Sequence, residues 1–250
     1  MKYLVAVDDT DMPGTSGTGK LVQELCGILQ DTGWGVSSPV SRHQLYVHDA
    51  IPFTSHNSAM CVQVDLFDAG KEDLVAYLGG FLEKQAAHGS DPGLCVAELG
   101  SELDRSLLIE FGIKAKSEIV FKADAYDIAE KTGIHLSEHG GTGLGVIGAV
   151  AGMGLCLAGN DGRYRGWYDF GKAGDVVPAG LLKTLGFDGQ IITVAGDVLD
   201  PGEPLMIASE KTKAVRKNGR PVILARDCNG VGGKGQARYR TLTSQEAKTY

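Results

Sequence analysis

No apolar run in this chain approaches the roughly 18–20 residues of a membrane-spanning helix, so no helical span is expected. The first residues, Met1-Lys-Tyr-Leu-Val-Ala-Val-Asp8, reach an acid after five apolar or aromatic residues. That is too short for the core of a signal peptide. The five cysteines (Cys26, Cys61, Cys95, Cys156, Cys228) include no Cys-x2-Cys pair, which argues against a zinc ribbon. Their scatter suits a reducing compartment, and the cytoplasm is the expected location. Six histidines, at 43, 48, 56, 88, 135 and 139, form no zinc motif. His135 and His139 have a helical interval, but Gly133, Gly140 and Gly141 around them favour a loop over a ligand pair. Internal repeats and low-complexity tracts are absent. Excess positive charge is absent too, and a net charge of −7 argues against wholesale nucleic-acid binding.

What remains is an ordinary globular composition with an uneven charge. Hydrophobic residues make up 43% of 250 positions, enough for one large core or two modest ones. From Met206 to Tyr250, ten Lys/Arg face three Asp/Glu, a balance of +7 that leaves −14 on residues 1–205. A basic tail beside an acidic body reads as a tail docking on that body in preference to RNA contact.

The densest chemistry lies at the start. Tyr3-Leu-Val-Ala-Val7 is a short apolar run that stops at three carboxylates, Asp8, Asp9 and Asp11. A Gly/Thr/Ser loop follows, and then Leu21–Leu29, whose apolar residues at 21, 22, 25, 26, 28 and 29 fit one helical stripe. The pattern predicts buried strand, acidic loop, helix. Clustered carboxylates repel unless a cation neutralises them, and glycine-rich backbone at a helix start is ready for phosphate. Together they point to Mg2+ and a nucleotide.

Several mechanisms compete for this loop. A P-loop needs Gly-x4-Gly-Lys followed by Ser or Thr directly after the strand. Gly14–Lys20 supplies the first part, but Leu21 stands where the hydroxyl belongs, and the strand ends too early. An aspartyl-phosphate enzyme would use a strand-end carboxylate such as Asp9 as nucleophile. Asp9-Thr-Asp11 has that look, yet Pro13 stands where such enzymes usually carry Thr or Val. A simple acidic turn capping the helix would need fewer carboxylates.

Three segments in register also resemble one family, the tRNA(Ile) agmatinylcytidine synthetases (TiaS). Val5-Ala-Val-Asp-Asp-Thr-Asp-Met-Pro13, with Gly17-Thr-Gly19, is similar to that family's opening strand, acidic triplet and helix start. Ser41-Arg-His43 and Ile51-Pro-Phe-Thr-Ser-His-Asn-Ser-Ala59 resemble its second signature, and Gly140-Gly-Thr-Gly-Leu-Gly-Val-Ile-Gly-Ala149 its third. The likeness covers about residues 1–200. It implies a threonine-bearing kinase-like domain that uses ATP to phosphorylate a cytidine carbonyl, and a ferredoxin-like domain holding the agmatine that displaces the phosphate. Asp8, Asp9 and Asp11 are implied as magnesium-holding catalytic acids and Thr18 as a phosphorylated threonine. Asn57 is implied as a contact to ATP or its metal, beside His56, and Arg42 and His43 as phosphate partners. Lys20 stands where the family has an aromatic residue, so its pairing with phosphate rests on charge alone. Family members are much longer and end in an OB fold and a zinc ribbon that grip tRNA. This chain reads as a catalytic core without them, for which tight tRNA binding is not expected.

Later segments fit an α/β alternation. Cys61–Phe67 and Leu94–Leu99 read as strands, Lys71–Ala87 as a helix weakened by Gly79-Gly80, and Glu102–Glu130 as two helical pieces ended at Gly133. The glycine-rich stretch Gly140–Gly148 is preceded by the polar Glu138-His139, which speaks against a Rossmann strand. Small-residue helix packing and a nucleotide loop built on Gly141, Thr142 and Gly143 both remain open. Asn160-Asp-Gly162 and Asn218-Gly219 read as hairpin turns. Asp161 and Asp169 are candidate carboxylates for an amine, and sequence does not choose between them.

The resulting expectation is a kinase-like α/β domain over 1–125, a ferredoxin-like α+β domain over 126–205 and a basic β-hairpin tail over 206–250. The expected function is ATP- and Mg2+-dependent phosphoryl transfer, with ligation of agmatine or a similar amine as its coupled step. The expected partners are ATP and a small amine-like or nucleotide-like substrate. The rivals are a noncatalytic nucleotide- or amine-binding relative and an aspartyl-phosphate phosphatase.

Overall fold

In the computed structural model, which describes residues 1–228 and 237–250, the apolar opening run forms β1 (Lys2–Asp8), the centre of an antiparallel sheet. Its alternation sorts two cores. Tyr3, Val5 and Val7 face one side and pack with Leu21, Val22, Leu25 and Leu29 of α1 (Thr18–Asp31) and with Leu74, Leu78 and Leu82 of α2 (Lys71–Gln85). Leu4 and Ala6 face the other side, toward α3 (Arg105–Lys114), α4 (Lys122–Thr132) and α5 (Gly145–Ala158). A strand buried on both faces reads as a continuous apolar run.

β1 pairs with β4 (Ser58–Leu66) on one side and β5 (Gly93–Glu98) on the other. β2 (Gly35–Ser37) and β3 (Ser41–Gln44) follow one another along the far edge of β4, and β6 (His135–Glu138) lies beyond β5. The register sets Asp8 opposite Gly93, so the acidic end of β1 lies beside the chain entering β5. The layers are helix, sheet, helix, a mixed α/β architecture with antiparallel neighbours.

The chain divides into two compact units, Met1–Ala158 and Gly159–Tyr250. The sequence-based boundaries at 125 and 205 fall elsewhere. α4, β6 and α5 belong to the first unit, where β6 extends its sheet and α5 covers it. A separate ferredoxin-like unit over 126–205 is therefore not what the strands build.

In the second unit, β7 (Arg163–Tyr164) pairs with β11 (Val215–Lys217), β8 (Val176–Pro178) with β10 (Pro204–Met206), and β9 (Gln190–Thr193) with β12 (Arg220–Asp227). β12 also pairs with β11 and with β13 (Tyr239–Thr241), and a four-residue helix, α6 (Leu181–Thr184), adds to the fold. Residues 159–205 and the basic tail thus share one sheet. Its core holds Phe170, Phe187, Leu205 and Ile223, with Tyr168 stacked on Phe170 at 5.5 Å. Asn218 and Gly219, both at positive φ, make the expected tight turn between β11 and β12. Asn160-Asp-Gly162 makes no hairpin. It links the end of α5 to β7. The part of the tail at 229–236 lies outside the described residues.

Candidate active site

β1 ends where its last side chain, Asp8, meets the first turn of α5. A Cβ on Gly148 would fall 1.6 Å from Asp8 Oδ2, so only glycine leaves room for that carboxylate. Asp8 accepts the Asp9 backbone N–H at 2.9 Å. Burial, then the charges of Asp9 and Asp11, push its carboxyl up to about 7. Asp9 turns the chain through the left-handed region (φ 53°), a conformation Asp tolerates better than most residues. Burial, then Asp91 and Asp11, raise its carboxyl to about 6.

Asp11 faces the start of α1. Its Oδ1 accepts the Thr18 hydroxyl at 3.3 Å and its Oδ2 accepts the Thr54 hydroxyl at 3.2 Å. Thr18 is 5% exposed and its Oγ1 also accepts the backbone N–H and the hydroxyl of Thr10, at 3.3 and 3.1 Å. A threonine here would ordinarily cap the helix, but the N-cap is Gly17 and no side chain caps it. Thr18 is the first helical residue, and its hydroxyl ties the acidic loop to α1.

The third signature arrives through α5. Gly145 packs against the strand ends so closely that a Cβ on Gly93 would fall 2.1 Å from its carbonyl carbon. The preceding turn carries Gly141, Thr142 and Gly143. Thr142 donates its backbone N–H and its hydroxyl to the two oxygens of Asp91, the hydroxyl at 2.5 Å. On the other side Lys122 Nζ donates to Thr142 O at 2.9 Å and pairs with Glu138 at 2.7 Å. Tyr126 donates to the same Glu138 at 2.5 Å, and burial and that contact hold its hydroxyl up at about 12.

Asp8, Asp9, Asp11 and Thr18 therefore meet in one place, with the glycine-rich turn joined to it through Asp91. The remaining expected residues are engaged elsewhere. Lys20 turns outward to Glu24, 3.6 Å away. Arg42 donates to Ser58 Oγ at 2.9 Å, along the β3–β4 pair. The buried His43 ring lies 2.9 Å from Ser41 Oγ, and the exposed His56 ring lies 3.2 Å from Ser55 Oγ. Asn57 donates to Tyr46 O at 2.6 Å and closes the loop between β3 and β4. That same loop supplies Thr54 to Asp11. Asp169 accepts Gly171 N–H at 3.1 Å in a turn of the second unit.

Sequence reasoning missed Thr10, Thr54 and Asp91. The signal for Asp91 was available only once β1 and β5 were paired antiparallel, because that pairing brings an acid just before one strand beside an acid just after the other. Among the described residues no group of three or more His, Cys, Asp or Glu side chains is arranged to hold a metal ion.

Fold and site together define a mixed α/β protein with a half-buried acidic strand end under a helix N-terminus. The fold is structurally similar to TiaS. A crystal structure of TiaS in complex with tRNA and ATP matches with a TM-score of 0.53 and 23% identity, over 62% of this chain and 36% of that one. Apo TiaS, a tRNA agmatidine synthetase, matches at 0.51 and 22%, over 62% and 35%. A tRNA fluorescent labeling enzyme matches at 0.53 and 23%, over 62% and 36%. The chain thus covers only 35–36% of the length of these structures, and at such identity the likeness is one of fold. No family model and no curated protein matches it.

Proposed function

We propose that the first unit is a kinase-like core for ATP- and Mg2+-dependent phosphoryl transfer, coupled to ligation of agmatine or a similar amine to the activated acceptor. One observation carries this reading: a half-buried carboxylate pair at the end of β1, a threonine hydroxyl on Asp11 and a glycine-rich helix start all meet at one point. The structural neighbours support it, since TiaS has been crystallised with tRNA and ATP, and with tRNA, AMPCPP and agmatine.

The donor chemistry fits magnesium. Burial first, then the charges of Asp9 and Asp11 on Asp8 and of Asp91 and Asp11 on Asp9, push both carboxyls up, and a divalent cation relieves that repulsion. Mg2+ is commonly held by one or two carboxylates, with waters and substrate phosphates completing its shell, so a full protein cage is not required. Asp8 and Asp9 would hold it, and when bound it would neutralise charge on the transferring phosphate. The chain's own groups supply the rest. Backbone amides at the start of α5 and in the 140–145 turn, apart from the Thr142 N–H held by Asp91, receive phosphate oxygens. Asp11, already accepting the Thr18 hydroxyl, takes its proton as Oγ1 attacks the γ-phosphorus, and ADP leaves with the displaced bond pair.

A noncatalytic nucleotide- or amine-binding relative is the second reading. Thr18 favours it, because a hydroxyl already holding three hydrogen bonds also serves as a structural tie. Incubation with ATP and Mg2+ followed by mass spectrometry separates them. Phosphate on Thr18, with turnover lost in Asp8→Asn and Asp11→Asn, is the expected result. Bound ATP without turnover favours the second reading, and phosphate on Asp9 an aspartyl-phosphate enzyme.

A further inference from the structure

We propose that Asp91 is a positioning residue that fixes the 140–145 turn in the shape that receives nucleotide phosphates; this rests on the functional reading above. Both Asp91 oxygens are occupied by Thr142, one by its backbone N–H and one by its hydroxyl. The fit leaves no slack. Gly141 sits at φ 56°, and a Cβ there would fall 1.6 Å from Asp91 Oδ1 and 2.7 Å from Ser90 O. Just before the turn, His139 N–H donates to Pro92 O at 2.8 Å. Residues 90–92 therefore grip the turn along one side, while Lys122 and Glu138 grip the other.

The two grips differ in what they fix. Lys122 and Glu138 belong to α4 and β6, at the sheet's edge. Asp91 belongs to the segment that enters β5 beside the end of β1, so it references the turn to Asp8 and Asp9. Loss of Asp91 would leave the turn anchored at the edge and free at the acidic end. Its amides would then have to be ordered by the nucleotide itself, at the expense of affinity.

Asp91 acts on the turn through its two hydrogen bonds to Thr142, a role separate from the effect of its charge on Asp9. Asn at 91 can accept the backbone N–H through Oδ1 and meet the Thr142 hydroxyl with Nδ2. Ala can do neither. Asp91→Ala and Thr142→Val should raise KM for ATP about tenfold or more, with a much smaller change in kcat. Both should speed amide hydrogen exchange over 140–146 in nucleotide-free protein. Asp91→Asn and Thr142→Ser should stay near wild type in both measurements. An Asp91→Asn enzyme as impaired as Asp91→Ala, with exchange unchanged in both, would overturn the proposal in favour of a charged role. Unchanged KM and exchange in Asp91→Ala, in a wild type that binds ATP, would overturn it alone. A wild type that binds no ATP, measured by calorimetry, overturns it together with the functional reading.

Discussion

At the scale of single residues, Asp8 makes opposite demands on stability and function. The folded protein holds its carboxyl at about 7, above the ordinary 3.8, so the folded chain keeps a proton that the unfolded chain has released. The stability from this group is present below about pH 4, declines as pH rises and is lost above about pH 7. Asp8→Asn keeps the shape and removes the titration. In metal-free protein the variant should therefore be more stable than wild type at pH 8 and close to it at pH 4, read from melting curves at the two pH values. The same variant should lose ATP turnover. Thr18 makes a complementary test. Thr18→Val removes bonds to Thr10 and Asp11 in a buried site and should cost about 1–3 kcal/mol, whereas Thr18→Ser keeps them. If Thr18 also accepts phosphate, one added phosphate should appear in the wild type and Thr18→Ser, and none in Thr18→Asn. The three acids and Thr18 were legible because they are contiguous with a recognisable strand and helix. Thr54 and Asp91 were not, because each reaches the site through pairing between strands far apart in sequence.

At the scale of elements, α5 carries the clearest message. It reads in sequence as a helix poor in large side chains, and its packing shows why. A Cβ on Gly154 would fall 1.9 Å from Leu108 O, and one on Gly112 of α3 would fall 2.8 Å from Ala151 O, so the two helices cross with their backbones in contact. Helix propensity favours Ala over Gly by about 1 kcal/mol, but overpacking costs about 1–3 kcal/mol. Gly154→Ala should therefore destabilise, while Gly27→Ala in α1, with nothing within 4 Å of the added Cβ, should stabilise by about 0.5–1 kcal/mol. Urea denaturation of the pair checks the argument, and stabilisation by both would show that α3 and α5 have room to separate. Gly79 follows the same logic. It weakens α2 as a sequence pattern, yet a Cβ there would fall 2.7 Å from the His139 ring. β1, β4, β5, α1 and α2 were readable from periodicity, whereas the short strands β2, β3 and β6 to β10 were not. Gly79 looked like a breaker because the His139 ring that excludes a side chain there is distant in the chain. Asn160-Asp-Gly162 misled for a related reason: a good turn sequence does not say whether helix or strand precedes it.

At the scale of the whole molecule, the unit boundary was the least legible feature. Composition shifts near the basic tail, but the tail's strands pair with segments from 163 to 193, so charge and fold divide the chain at different places. Redrawn at Ala158, the asymmetry persists in milder form: residues 159–250 carry +4 and residues 1–158 carry −11. Among the described residues no helix is long and apolar enough to cross a membrane. The asymmetry bears on polyanions. Phosphate pairing dominates affinity for nucleic acid and weakens steeply with salt, and the acidic first unit opposes it. Lys213 donates to Gly166 O and Arg216 to the Tyr164 hydroxyl, so Lys217 and Arg220, which flank the β11–β12 turn, are the side chains expected to pair with a phosphate backbone. We expect free tRNA to bind this chain only in the nonspecific range of about 10⁻⁴–10⁻⁶ M. Affinity should fall with rising salt in filter-binding or anisotropy titrations. Lys217→Ala and Arg220→Ala together should flatten the salt slope by about two, since each side chain paired with a phosphate accounts for nearly one unit of slope. Their effect should be the same for tRNA and for an unrelated RNA. Tight binding that survives high salt and distinguishes one tRNA from another would mean that recognition resides in groups other than this basic turn.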